Sequence, residues 1–209
     1  SLYGTGATPQ LVPSINGVNT ANTDWQDEVY SSAWTQNLSA SISNASEKGS
    51  YLFSANYIDQ NGLMDNTFYK RFSGRVNSTY NFSKYVRVGE NLMVARWSNR
   101  GADTNGDRGI PYSAMRQHPA IPVYSADGVF ADPSALLGSD IDNPVQTLYN
   151  MRDNTNTSWR VFGNAYIEIM PIKGLTLKSN VGIEHVQYLS KTLGRNVRPD
   201  DPSINRSVS

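Results

Sequence analysis

The chain has 209 residues, and its 18 Lys and Arg balance its 18 Asp and Glu for a formal net charge of zero. That balance excludes the basic excess of a nucleic-acid binder, and the absence of Cys excludes a disulfide scaffold, a thiolate zinc site and a cysteine nucleophile. Charged residues make up only 17% of the chain, the mean hydropathy is −0.48, and no apolar run is long enough for a transmembrane helix.

Ser1 to Asn22 is rich in Gly, Thr, Asn and Pro, and Arg195 to Ser209 carries Pro199 and Pro202 without a capping element. The opening Ser1-Leu2-Tyr3 has no initiator Met or signal-peptide pattern. These ends predict a piece of something longer. Residues 1–33 read as a linker leading into the fold.

From residue 34 to 98 the apolar period is two. Leu38, Ala40 and Ile42 alternate with Ser39, Ser41 and Ser43. Tyr51, Phe53, Ala55 and Tyr57 then share a face opposite Ser50, Ser54 and Asn56, with Leu52 as an exception. Phe72, Gly74, Val76, Tyr80 and Phe82 alternate with Arg71, Ser73, Arg75, Asn77 and Thr79; Val86, Val88, Leu92 and Val94 follow, interrupted by Glu90. Strict alternation predicts strands with one apolar and one wet face. Residues 158–190 add two more, with Trp159, Val161, Gly163, Ala165, Ile167 and Ile169 in the first and Leu175, Leu177, Val181 and Ile183 in the second. Six strands result.

Two architectures share this period. In a soluble sandwich the apolar faces meet inside; in an outer-membrane barrel they meet lipid, and the polar faces line a lumen. Three features favour the barrel. The wet faces carry Ser, Thr and Asn in preference to Lys and Glu. The apolar faces include the small residues Ala40, Ala55, Gly74, Gly163 and Ala165. Trp34, Tyr51, Tyr57, Tyr69, Tyr80, Phe82, Tyr85, Trp97 and Trp159 gather near strand ends, where an interfacial girdle would lie, although aromatics are also good strand formers. Connection lengths agree: short turns at 46–49, 81–85 and 171–174 alternate with longer links at 59–67 and 99–157. A strand from Phe68 to Phe82 would rise about 50 Å at roughly 3.4 Å per residue, more than a tilted crossing of the apolar band of about 25 Å requires.

Residues 99–157 hold no sustained period, but Tyr112, Tyr124, Phe130, Leu136 and Leu137 predict a packed loop. Asn143-Pro144 predicts a short helix, with Asn143 as N-cap and Pro144 at its first position. Asp103-Thr104-Asn105-Gly106-Asp107 opens like a calcium loop, but Arg108 and Ala114 occupy the positions that need Gly and Glu, so a hydrophilic tip is expected. His118 and His185 are the only histidines, and no nucleophile motif or phosphate-cradling loop is present. No enzyme, cofactor or resident metal is expected. The candidate contact residues for a partner or substrate are Tyr112, Tyr124, Phe130, Asp103 and Asp107.

Several segments, in order, resemble the SusC/RagA family of TonB-dependent outer-membrane transporters. They are Thr23-Asp24-Trp25-Gln26-Asp27, Ser46-Glu47-Lys48-Gly49-Ser50-Tyr51, Tyr57-Ile58-Asp59-Gln60-Asn61-Gly62 and Phe68-Tyr69-Lys70-Arg71-Phe72-Ser73. Val86-Arg87-Val88-Gly89-Glu90-Asn91-Leu92, Pro119-Ala120-Ile121-Pro122-Val123-Tyr124, Asp127-Gly128, Asn143-Pro144 and Lys173-Gly174-Leu175-Thr176-Leu177 continue the series.

The resemblance implies an all-β fold of antiparallel up-and-down strands. These form part of a transmembrane β-barrel wall, a stretch of a 22-stranded plugged barrel in the outer membrane of a Gram-negative cell. It implies four barrel strands over 34–98, a long extracellular loop over 99–157, two strands over 158–190 and the start of a further loop over 191–209. The implied activity is nutrient uptake, the import of oligosaccharides or peptides. The implied partners are the remaining barrel and plug, a SusD-like surface lipoprotein, and the TonB energy-coupling complex through an N-terminal part outside this chain. The matched residues read as turn formers, girdle aromatics and loop anchors. A soluble all-β carbohydrate-binding module is the alternative.

Overall fold

A computed structural model describes residues 21–193 and, before them, the backbone of Ser14–Ile15 (β1) and Val18–Asn19 (β2), an antiparallel pair. The rest of the stretch 1–20, and residues 194–209 of the further loop expected over 191–209, lie outside the described residues. A short helix, α1 (Trp25–Val29), precedes a six-stranded antiparallel sheet. Its strands are β3 (Thr35–Ser46), β4 (Gly49–Asn61), β5 (Phe68–Asn81), β6 (Val86–Arg100), β7 (Thr155–Ile172) and β8 (Leu175–Lys191). Spatial order equals chain order, the up-and-down arrangement. Three short helices, α2 (Ile110–Arg116), α3 (Pro133–Leu137) and α4 (Pro144–Asn150), fill the β6–β7 connection.

Directly opposed residues share a face, so the register sorts the side chains. Ile42, Phe53, Val76, Leu92, Gly163 and Ile183 form one continuous apolar row, and Ala40, Ala55, Gly74, Val94, Val161 and His185 form the row beside it. The other face reads Ser39, Asn56, Ser73, Ala95 and Arg160 across successive strands. Among the described residues no second sheet covers the apolar face: Ile42 and Ile183 are each 63% exposed and Phe53 46%. A two-sheet soluble module is therefore not what these residues build. A sheet that buried this face against another would leave these side chains nearly inaccessible.

The apolar face is bounded at both ends. Toward the long connections, one row carries Tyr57, Phe72, Arg96 and Trp159, and the Arg96 guanidinium lies 5.4 Å from the Trp159 ring centroid. One step further out the face turns polar. There Lys70 Nζ pairs with Asp59 at 3.0 Å, and the Tyr57 hydroxyl donates to the same carboxylate. Toward the short turns, Tyr80 meets Phe82 edge-on at 4.9 Å and Lys84 lies over the Tyr85 ring. Apolar rows between aromatic and charged borders match the lipid-facing band of a barrel. Tyr69 and Trp97 fall outside this girdle, because their register places them on the polar face beside Arg71. Glu90 is the acidic exception on the apolar face, and it accepts a hydrogen bond from Ser78 at 3.2 Å.

Strands of 12 to 18 residues exceed the roughly 9–11 that a tilted crossing needs. The β7–β8 turn consists of Lys173 and Gly174, and Gly174 sits at φ +88°, a conformation that side-chain-bearing residues avoid.

The buried apolar core lies beside the sheet, not in it. Trp25, Val29, Ile110, Ala114, Ile121, Val123, Ala131 and Leu148 cluster together, joining α1 to the long connection. Within the stretch expected as a linker, residues 21–31 thus act as a strap. Backbone N–H groups of Ala21 and Thr23 donate to Ala120 and Pro119, and the Trp25 indole donates to the His118 carbonyl at 3.1 Å. On its other side, Ser31 N–H donates to Leu63 and Asp65 N–H to Val29, tying in the β4–β5 loop.

Candidate functional site

Two surfaces can do chemistry here: the polar face of the sheet and the outer surface of the long connection. The polar face is organised by pairing. Asn164 joins Asn91 at 3.2 Å and Asn180 at 2.8 Å, an amide ladder crossing three strands. Glu168 takes Lys178 at 3.0 Å and Arg87 at 3.5 Å, and Glu184 takes Arg160 at 2.6 Å. Amides and hydroxyls that satisfy one another hold their rotamers without an apolar core. Gly89 belongs to this face, and a Cβ there would collide with the Tyr166 ring at 2.4 Å, so the ring closes over bare backbone. The face is wet and largely charge-paired.

The long connection is a packed subdomain, and its polar linchpin is Asn143. Asn143 is 1% exposed. Its Oδ1 accepts from the N–H groups of Val145 and Gln146, capping α4, with Pro144 at the first helical position. Its Nδ2 donates to the carbonyls of Val123, at 3.0 Å, and Ala131. One buried amide thus starts a helix and fastens the hairpin in which Tyr124 bridges Phe130. Gln117, also buried, reaches the Ile141 and Asp142 carbonyls in the same way. Arg100, at the end of β6, donates to the carbonyls of Asn154 and Asn66, so both long connections are stapled at the rim of the sheet.

The sequence-derived candidates separate into three places. Tyr124, 52% exposed, stacks on Phe130 with ring centroids 4.8 Å apart, and Phe130 stacks on Tyr149 at 5.3 Å. The Arg152 guanidinium caps this tier 3.5 Å above the Tyr149 ring. Tyr149 and Arg152 escaped the sequence reading. Their signal was the three-residue spacing from the last turn of a helix whose start Asn143-Pro144 already fixes. Tyr112 lies apart on α2, where Arg116 donates to its hydroxyl at 3.0 Å. Asp103 and Asp107 lie on the exposed tip ahead of α2, and Asp103 Oδ1 accepts from Asn105 N–H. Among the described residues no group of three or more His, Cys, Asp or Glu side chains converges as metal ligands would.

Exposed apolar rows between two aromatic borders, a paired polar reverse face and a structured rim define the class of this chain: a stretch of transmembrane β-barrel wall with one long loop. No family model matches the sequence. The chain is 32% identical over 169 residues to the TonB-dependent receptor P3 of Formosa agariphila, covering 78% of this chain and 16% of that receptor. It is 28% identical over 164 residues to the TonB-dependent receptor SusC of Bacteroides thetaiotaomicron, covering 78% of this chain and 15% of SusC. Among solved structures, it superposes on a chain of the RagAB peptide importer in the 'closed-closed' state with a TM-score of 0.69 at 25% identity. That match covers 96% of this chain and 22% of the importer chain. The chain belongs to the SusC/RagA family of TonB-dependent receptors. It spans 16% and 15% of the length of the two curated relatives just described.

Proposed function

We propose that the chain supplies part of the wall and outer rim of a Gram-negative outer-membrane transporter. Driven through TonB, it would import oligosaccharides or peptides together with a SusD-like surface lipoprotein. The carrying observation is the single sheet with an exposed apolar face and a paired polar one, which suits lipid on one side and a wet lumen on the other. The sheet ends in β3 and β8, whose outer edges are unpaired by its other strands. In lipid each unsatisfied backbone group costs several kcal/mol, so further strands of the same barrel must flank both edges. The matched receptors are several times longer than this chain and have room for those strands.

The tier of Tyr124, Phe130, Tyr149 and Arg152 is the part of the rim we assign to contact with the lipoprotein or the incoming substrate. Half-exposed aromatics held by ring contacts lose little entropy on docking, and such residues carry most of the energy at binding surfaces. In the full-length transporter, Tyr124→Ala combined with Tyr149→Ala should leave heat-modified gel mobility unchanged. Co-purification of the surface lipoprotein, or uptake of the transported substrate, should fall roughly tenfold or more. Wild-type levels of both would remove the tier from this role. Failure of the wild-type protein to fractionate with the outer membrane would refute the transporter reading itself.

A further inference from the structure

The charges on the apolar side of the sheet are sorted by depth. Within the strands, Lys70, Arg96, Arg100 and Lys191 all lie on the long-connection side of the row through Val76, and Asp59 is the carboxylate among them. On the short-turn side of that row the charged strand residue is Glu90, and the next cation, Lys84, belongs to the turn beyond β5. An excess of positive charge thus marks one border of the apolar band.

Arg96 is the cation of this border left to an outside partner. Lys70 pairs with Asp59, and Arg100 is spent on the carbonyls of Asn154 and Asn66. Lys191 lies on β8, the edge beside which the next strand of a barrel would run. Arg96 stands on β6, and its neighbours across both adjacent strands, Phe72 and Trp159, belong to this chain. Further strands can join only at β3 and β8, so none of them comes to lie beside it. Among the described residues its guanidinium has no ion pair; it rests over the Trp159 ring, which leaves its N–H edge for an acceptor.

We infer that Arg96 and Lys70, flanked by Ser98 and Thr157, bind the phosphate monoester of an outer-leaflet lipid whose acyl chains lie along the apolar rows below. The inference rests on the barrel reading above. Lys70 and Arg96 are diagonal neighbours on β5 and β6, with Ser98 opposite Lys70 and Thr157 opposite Ser98. Such a diagonal separates Cβ atoms by about 7–8 Å, a gap that two long side chains close on one anion. Arg96 is four residues out from the Val76 row and Lys70 six, roughly 10 and 15 Å of depth at the barrel tilt, so they bracket the edge of an apolar band about 25 Å thick. Basic clusters at that level recognise anionic headgroups. A monoester, with a charge of about −1.5 to −2 and three terminal oxygens, suits two cations beside two hydroxyls better than the singly charged diester of an ordinary phospholipid. Asp59 does not close the site, because its pair with the half-exposed Lys70 is held loosely and the ammonium can bridge carboxylate and phosphate.

The test places p-benzoylphenylalanine in the full-length transporter at Phe72, opposite Arg96, or at Tyr80, on the short-turn border of the same strand. Each protein is reconstituted into phosphatidylcholine vesicles holding a minor fraction of bisphosphorylated lipid A in both leaflets, so that the membrane itself supplies no asymmetry. After irradiation, the ratio of lipid A to phosphatidylcholine adducts should be roughly tenfold higher at Phe72 than at Tyr80, as charge-assisted hydrogen bonds to one phosphate predict. Arg96→Gln with Lys70→Gln should bring the two ratios together, and so should phosphate-free lipid A with the unsubstituted cations, an arm that needs no charge variant to fold. Equal ratios at the two positions, enrichment that survives loss of the phosphate or of the cations, equal enrichment of phosphatidylglycerol, or adducts to protein in place of lipid would each overturn the inference. A full-length protein that does not assemble as a barrel would instead strike at the transporter reading.

Discussion

Val76→Arg in the full-length transporter tests the depth of the apolar face. Val76 lies on β5 between Phe53 and Leu92, in the row that is apolar across all six strands. The aromatic borders on the same strand, Phe72 and Tyr80, are four residues away on either side, about 14 Å along the strand. At a tilt of roughly 35–45° this leaves about 10 Å of depth to each border, so the site is near the middle of the band. An arginine there reaches the headgroups only in part by snorkelling, and the cost is about 2–4 kcal/mol. The neighbouring Asn77→Arg faces Asn91 on the wet side and should change stability by roughly 0.5 kcal/mol or less. Urea unfolding in liposomes, followed by heat-modified gel mobility, measures both. Equal costs at the two positions, or a larger one at Asn77, would refute the assignment of faces.

Two further predictions concern the rim. Trp25→Ala removes a nearly buried indole and its bond to the His118 carbonyl. It should weaken the subdomain by about 3–5 kcal/mol, seen as faster proteolysis within residues 101–154 with heat-modified mobility of the barrel unchanged. Unaltered cleavage would mean that the strap is not structural. Asn143→Asp keeps the helix cap but withdraws both donations to Val123 and Ala131 and buries a charge. Each orphaned carbonyl costs about 1–3 kcal/mol, so hydrogen exchange should accelerate at 123–131. An effect confined to 144–150 would contradict the double role given to this amide.

The sheet was readable in the sequence because a face solvated by lipid and a face solvated by water impose period two over long runs. Ser39 to Ser43 and Phe72 to Tyr80 show this most clearly. The alternation fails at Leu52, Met93, Trp97 and Phe162, apolar residues that the register places on the polar face. Asn143-Pro144 announced its helix, since a side-chain cap is local chemistry. The role of Trp25 was hidden: its partner His118 is 93 residues away, and a five-residue helix is too short to display a period. The Arg100 staple was hidden for the same reason, because it depends on the β4–β5 loop and the β6–β7 connection meeting at one rim. The aromatic tier was half legible. Tyr124 and Phe130 stood out as aromatics in a loop, whereas Tyr149 and Arg152 acquire meaning only once α4 brings the Tyr149 ring to Phe130 and Arg152 lies over that ring.

The orientation of the two faces can be measured directly. Residues 1–209 contain no cysteine, which makes single-cysteine spin labelling along β5 straightforward in a full-length protein cleared of any others. Labels at Gly74, Val76 and Ser78 should relax rapidly with oxygen, which concentrates in the bilayer. Labels at Ser73, Arg75 and Asn77 should be insensitive to oxygen and respond, where not shielded by neighbouring protein, to a water-soluble nickel chelate. Alternation with the opposite phase, or no alternation along the strand, would contradict the account.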